Sequence, residues 1–142
     1  MNIPKDLLEI KEYSKEGYKP VIDYGAWRVA ILNFIDELVP ENIDSMSKHD
    51  ETDEVFVLLK GNCILFIAEG NERKITKLYA EDMVPYKIYN IKRGVWHNHT
   101  LSQDAMILIV ENQDTTESNS PVIELTEKQQ NEIIDLTTRL WN

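Results

Sequence analysis

Between Trp27 and Glu111 the sequence is a succession of short runs rich in branched and aromatic residues, divided by turn residues at nearly even spacing. The runs fall at 27–34, 54–59, 63–68, 74–79, 87–90, 95–101 and 105–111. Gly61-Asn62 and Glu69-Gly70-Asn71 separate neighbouring runs with residues that tolerate positive φ in hairpin turns. Many short strands in regular succession predict an all-β sandwich or closed barrel. With 142 residues, the chain is expected to form one domain (1–142), with a barrel core over about 20–112.

The ends carry different signals. Residues 4–12 are expected to form a short N-terminal helix, with Pro4 in its first turn, before Gly17 and Pro20 interrupt the pattern. An acidic loop follows around 40–44, and 112–120 reads as a polar surface connection. Thr126-Glu127-Lys128-Gln129 has the form of a capping box, and Ile133, Thr137, Leu140 and Trp141 recur at helical spacing. The prediction is an amphipathic helix over about 126–141, packed on the barrel or on a second subunit. Trp27 and Trp96 are expected in the core or a pocket wall, and Trp141 in packing.

Charge excludes some partners. The formal net charge of -10 gives a field of the wrong sign for phosphate backbones and anionic lipid surfaces, so neither nucleic acid nor membrane is expected as a partner. No run approaches the ~18 apolar residues of a membrane span, and the N-terminus lacks the pattern of a signal peptide. The single Cys63 lies in the apolar run Cys63-Ile64-Leu65-Phe66-Ile67, which predicts a buried, inert thiol and a reducing, cytoplasmic setting.

The three histidines fall in two blocks, Lys48-His49-Asp50-Glu51-Thr52-Asp53-Glu54 and Gly94-Val95-Trp96-His97-Asn98-His99. Strand alternation puts His97 and His99 on one face, Trp96 and Asn98 on the other. His49 and Glu54 are an odd number of residues apart, yet the turn residues 50–53 can reset the register. Glu54 then shares a face with Phe56 and Leu58, and a carboxylate in that position needs a partner because desolvating it alone is costly. Imidazole nitrogens with a carboxylate oxygen and no usable thiolate suit a divalent ion such as Zn, Fe, Mn, Ni or Cu. Two His and one carboxylate would leave coordination positions open for a ligand. No phosphate-binding loop, nucleophile elbow, paired-cysteine site or dinucleotide fingerprint is present.

The two blocks resemble the paired motifs of the cupin superfamily, usually written Gly-x5-His-x-His-x3,4-Glu-x6-Gly and Gly-x5-Pro-x-Gly-x2-His-x3-Asn. Ser47-Lys48-His49-x4-Glu54-x6-Gly61 follows the first, and Lys92-Arg93-Gly94-Val95-Trp96-His97 follows the core of the second. The resemblance implies a double-stranded β-helix, the jelly-roll barrel, with a short N-terminal segment and a C-terminal helix. It implies His49, Glu54 and His97 as metal ligands. Ser47 stands in place of the first motif histidine, Lys92 in place of the proline and Leu101 in place of the asparagine. His99 then either supplies the missing ligand or serves as general acid or base, and Ser47 and Trp96 are candidate ligand-binding residues. Gly94-Val95-Trp96-His97 also looks like the matching segment of ureidoglycolate lyases and of some nucleotide-sugar isomerases.

These readings lead to a homodimer with a divalent-metal site that binds a small polar metabolite. If it is an enzyme, metal-dependent lyase or isomerase chemistry on a sugar or carboxylate is expected ahead of oxygenase chemistry. The rival is a metal-free binding protein or sensor, for which the loss of the first motif histidine speaks. A third reading is a filled barrel without a ligand cavity.

Overall fold

The computed structural model describes residues 1–142. Ten strands follow in order: β1 (Gly17–Tyr24), β2 (Trp27–Asn33), β3 (Ser45–Ser47), β4 (Glu54–Lys60), β5 (Cys63–Gly70), β6 (Ile75–Asp82), β7 (Ile88–Ile91), β8 (Trp96–Leu101), β9 (Met106–Asn112) and β10 (Val122–Glu124). One helix, α1 (Glu127–Trp141), ends the chain. The strands form two antiparallel five-stranded sheets, ordered β1-β2-β9-β4-β7 and β10-β3-β8-β5-β6. Consecutive strands alternate between the sheets from β7 to β10, which is the wrapping of a jelly roll.

Alternation along the strands builds two cores. Ala30, Leu32, Phe56, Leu58, Leu65, Ile107 and Ile109 point between the sheets. Met46, Ile64, Phe66, Ala68 and Trp96 point out of the second sheet, where they pack with Leu125 and with Ile133 of α1. Strand β5 is therefore buried on both faces, which is why 63–67 reads as an unbroken apolar run rather than an alternating one. Each fully buried Phe or Leu here contributes roughly 1.5–3 kcal/mol by leaving water.

Helix α1 starts at the expected capping box: Gln129 N donates to Thr126 Oγ1 at 3.2 Å and Thr126 N to Gln129 Oε1 at 3.0 Å. Ile133 and Thr137 face inward, and Trp141 Nε1 donates to Asp82 Oδ1 at 3.0 Å, so the helix lies on the barrel's second sheet.

Several expectations are corrected. Residues 4–12 form a single turn at 5–7 and no helix, with Leu7 74% and Ile10 81% exposed. So short a segment has no packing partner to offset helix nucleation. The first strand begins at Gly17, before the β signal at Val21, because Pro20 is accommodated at a bulge in an edge strand. Trp27 is exposed, edge-on to Tyr24. At Gly61 φ is +72°, as a hairpin turn requires. Gly70 instead serves close approach: a Cβ there would stand 2.3 Å from Lys74 O. Cys63 is buried, and burial pushes its thiol pKa up, so it is inert.

Candidate metal centre

The loop between β3 and β4 carries His49, and three backbone bonds fix it. Lys48 N donates to Pro121 O at 3.1 Å, Asp50 N to Asn119 O at 3.0 Å, and Gly94 N to His49 O at 2.8 Å. Asp53 closes the turn, accepting Arg93 N at 2.7 Å and Asn90 Nδ2 at 3.1 Å. The turn thus resets the register, and Glu54 starts β4 on the inner face in phase with buried Phe56 and Leu58. His97 enters from β8, where it pairs with Ser47 of β3.

The ligand atoms of His49, Glu54 and His97 all lie within 4.8 Å of one another. His49 Nε2 is 3.3 Å from Glu54 Oε2, and His97 Nε2 is 3.1 Å from Glu54 Oε1. Both rings are held by their other nitrogen. His97 Nδ1 is 2.9 Å from Val95 O, an acceptor only, so it carries the proton. His49 Nδ1 is 2.7 Å from Ser120 Oγ, and the direction of that bond follows from Asn119. Asn119 Nδ2 donates to Glu51 Oε2 at 3.2 Å and to Asp114 O at 3.1 Å, while Oδ1 accepts Thr116 N at 2.9 Å. Oδ1 therefore also accepts the Ser120 hydroxyl at 3.3 Å, and Ser120 Oγ accepts from His49 Nδ1–H.

Both imidazoles therefore turn Nε2 toward the same carboxylate. Two ring lone pairs facing carboxylate oxygens repel unless positive charge lies among them. A proton on His49 meets that need: burial alone would lower its pKa, but its bond to Glu54 raises it. Burial would raise the Glu54 pKa, yet the bonds from His49 and His97 hold it well below the usual carboxylate range. A divalent ion meets the same need, and the donor set fits one: two anchored imidazoles and a carboxylate, each imidazole with an outer partner on Nδ1.

The remaining predicted residues divide. Ser47 lines the cavity. His99 also lines it but lies outside the three-residue cluster, since two residues along a strand move a side chain ~6.6 Å. Its ring packs edge-on to Phe56 with centroids 5.3 Å apart, and its Nδ1 is buried without a partner. Burial, then the neighbouring His97, lowers its pKa to about 4. Trp96 does not reach the cavity. It is buried in the outer core, where its Nε1 donates to Asn71 O at 3.1 Å and Lys48 Nζ lies 5.0 Å from its ring centroid.

Sequence reasoning missed a second cluster that adjoins the first, with Glu111 next to Glu54. Glu111 Oε1 accepts Arg28 Nε at 3.1 Å, Arg28 Nη2 at 2.9 Å and the Tyr18 hydroxyl. Burial, then Glu54, raises the Glu111 pKa to about 7. The two clusters share a cavity of about 520 Å³, with Leu32, Ile35, Leu38, Phe56 and Ile109 on its apolar side.

Comparison with solved structures finds the same two-sheet jelly roll. A variant of Streptomyces Pac13 with uridine superposes at a TM-score of 0.53, with 6% identity over 84% of this chain and 88% of that one. The chain has the cupin fold. A mutant of the 3,4-ketoisomerase QdtA from Thermoanaerobacterium thermosaccharolyticum, in complex with TDP-4-keto-6-deoxyglucose, shares it at a TM-score of 0.53 and 13% identity, covering 76% of this chain and 72% of that one. The capsular polysaccharide assembling protein CapF from Staphylococcus aureus matches at 0.56 and 16% identity, over 87% of this cupin-fold chain but 34% of its own. No protein-family model matches the sequence, and no curated protein matches it. At such identities the likeness is one of fold. No helix is long and apolar enough to cross a membrane.

Proposed function

We propose that this cupin-fold chain holds a divalent metal on His49, Glu54 and His97 and uses the adjoining cavity to bind a sugar-like metabolite for lyase or isomerase chemistry. The observation that carries the reading is the convergence of two Nδ1-anchored imidazoles on one buried carboxylate. When bound, such an ion acts as a Lewis acid that polarises a substrate oxygen. Three protein ligands leave positions for that oxygen. Zn, Fe, Mn, Ni and Cu all accept these donors.

The chain's own residues do the rest. Phe56 and Ile109 give the ligand an apolar wall, and Ser47 in the cavity wall offers a hydroxyl. His99, neutral at physiological pH and without a protein partner, is the group available to hydrogen-bond the ligand or take a proton from it. Pac13 is a nucleoside dehydratase and QdtA a 3,4-ketoisomerase, both reactions that move a proton. Those activities are consistent with the reading for this chain.

A metal-free binding or sensor role is the second reading. It is favoured by Ser47, a hydroxyl where a fourth ligand would be expected, at the register position facing His97. Metal content separates the two: about one ion per chain after purification without chelator, lost in His97→Ala, supports the first. Metal-free protein that stays empty after reconstitution supports the second.

The same reading takes 1–142 as one domain. It places the protein in a reducing, cytoplasmic compartment, consistent with its lone buried Cys63. It pairs two copies through the edge strand β1, which ends in exposed Tyr24, with exposed Trp27 of β2 beside it.

A further inference from the structure

Arg28 is the only lysine or arginine in the cavity wall, and three of its five N–H donors are already directed. Nε and Nη2 point to Glu111 Oε1, Nη1 donates to Gln113 O at 3.2 Å, and the guanidinium carbon lies 5.8 Å from the Tyr18 ring centroid. Glu111 is 5% exposed, so the pair is a built, desolvated feature rather than a surface contact. In either protonation state of Glu111, its Oε1 holds the Arg28 fork. The cavity's other acidic groups have no lysine or arginine partner. Glu54 belongs to the histidine cluster, and Glu37 and Glu117 at the mouth form no ion pair. Without a bound metal, a ligand carboxylate or phosphate entering this space would meet carboxylates at the mouth and no unpaired lysine or arginine inside. Hydroxyl groups, by contrast, can donate to Glu37 and Glu117 and to a neutral His99.

We infer that the cavity selects uncharged, polyhydroxylated ligands such as neutral sugars or nucleosides over their acids, and that Glu111 sets this preference by occupying Arg28. The inference rests on the sugar-binding reading above and narrows it: where no metal takes the anion, charge disfavours a carboxylate ligand. Glu111 is a specificity-determining residue because it withholds from the ligand the one cation that would recognise an anion. Removing it opens Nε and Nη2 of Arg28 for a bidentate contact to a carboxylate.

The test measures binding of matched probes to the full chain by saturation-transfer NMR: glucose with glucuronate, galactose with galacturonate, and uridine with orotidine. It is run with chelator present, so that an anion cannot bind through a metal, and metal uptake is measured separately on the same preparation. At least one neutral member should bind, with its acid about tenfold weaker or worse. Glu111→Ala should close most of that gap, and Arg28→Met added to Glu111→Ala should reopen it. Acids that bind wild-type protein as well as their neutral partners, or a panel in which nothing binds, overturn the inference. An unchanged ratio in folded Glu111→Ala overturns the role of Glu111, and the wild-type ratio decides the charge claim if that variant does not fold. Failure to take up metal sinks the metal centre alone and leaves the ratio to be read.

Discussion

Ser120 Oγ lies 2.7 Å from Nδ1 of His49, so a residue of the loop after β9 fixes the ring of a candidate ligand in the loop after β3. The bond leaves Nε2 as the nitrogen that faces Glu54 and the cavity. Ser120→Ala is expected to weaken metal affinity by about 10–100-fold, the usual effect of losing an outer partner of a metal-binding histidine. Competition with a chromophoric chelator measures it. Affinity equal to wild type would show that Ser120 does not orient His49.

Metal binding should also depend on pH with a definite sign. His49 has a raised pKa through Glu54, and a metal must displace its proton. Affinity should therefore rise with pH until His49 is fully deprotonated, with proton release on binding detectable by calorimetry in buffers of different ionisation enthalpy. Binding that is flat from pH 5.5 to 8 would contradict this.

Glu111 predicts a pH dependence of stability in metal-free protein. Its pKa is raised from 4.5 to about 7, chiefly by burial. Between those values the folded state binds more protons than the unfolded one, so stability falls as pH rises through the window. In Glu111→Gln this contribution is gone. The Tm difference, wild type minus Glu111→Gln, should shrink from pH 5 to pH 8, and a constant difference would refute the assignment.

His99 should show function traded against stability. Its Nδ1 is buried without a partner, and an unsatisfied buried polar atom costs about 1–3 kcal/mol. Its pKa, lowered to about 4, means that the unfolded state takes up a proton first as pH falls below 6.5, which removes stability there. His99→Leu is expected to match or exceed wild-type stability, most clearly at pH 5, while abolishing ligand binding. Denaturant melts and a binding assay on one preparation check both parts.

The outer layer gives a control away from the site. Phe66→Ala should cost about 3–5 kcal/mol and Thr126→Ala about 1 kcal/mol, each without changing metal affinity. A change in metal stoichiometry in folded Thr126→Ala would mean that the helix and the centre are coupled.

The strands around the site were legible in sequence because each carries its own alternation: Glu54 could be placed by its phase with Phe56 and Leu58, and His97 by its separation from Trp96. The same signal was present for Glu111, which shares the inner face with Ile107 and Ile109, but nothing in sequence pairs it with Arg28 across β2 and β9. Tyr18 and Ser120 were hidden for another reason. Tyr18 sits in a strand whose Gly17 and Pro20 read as breakers, and Ser120 in a polar loop that resembles any surface connection. The three-residue strands β3 and β10 exist through pairing with each other, not through local propensity.

Elemental mass spectrometry decides whether His49, Glu54 and His97 hold a metal. Untagged protein purified without chelator is compared with the His49→Ala/His97→Ala variant. The account predicts close to one first-row divalent ion per chain in the native protein and none in the variant. No metal in native protein, even after reconstitution with Fe, Mn, Ni, Cu or Zn, or equal metal in both proteins, would contradict it.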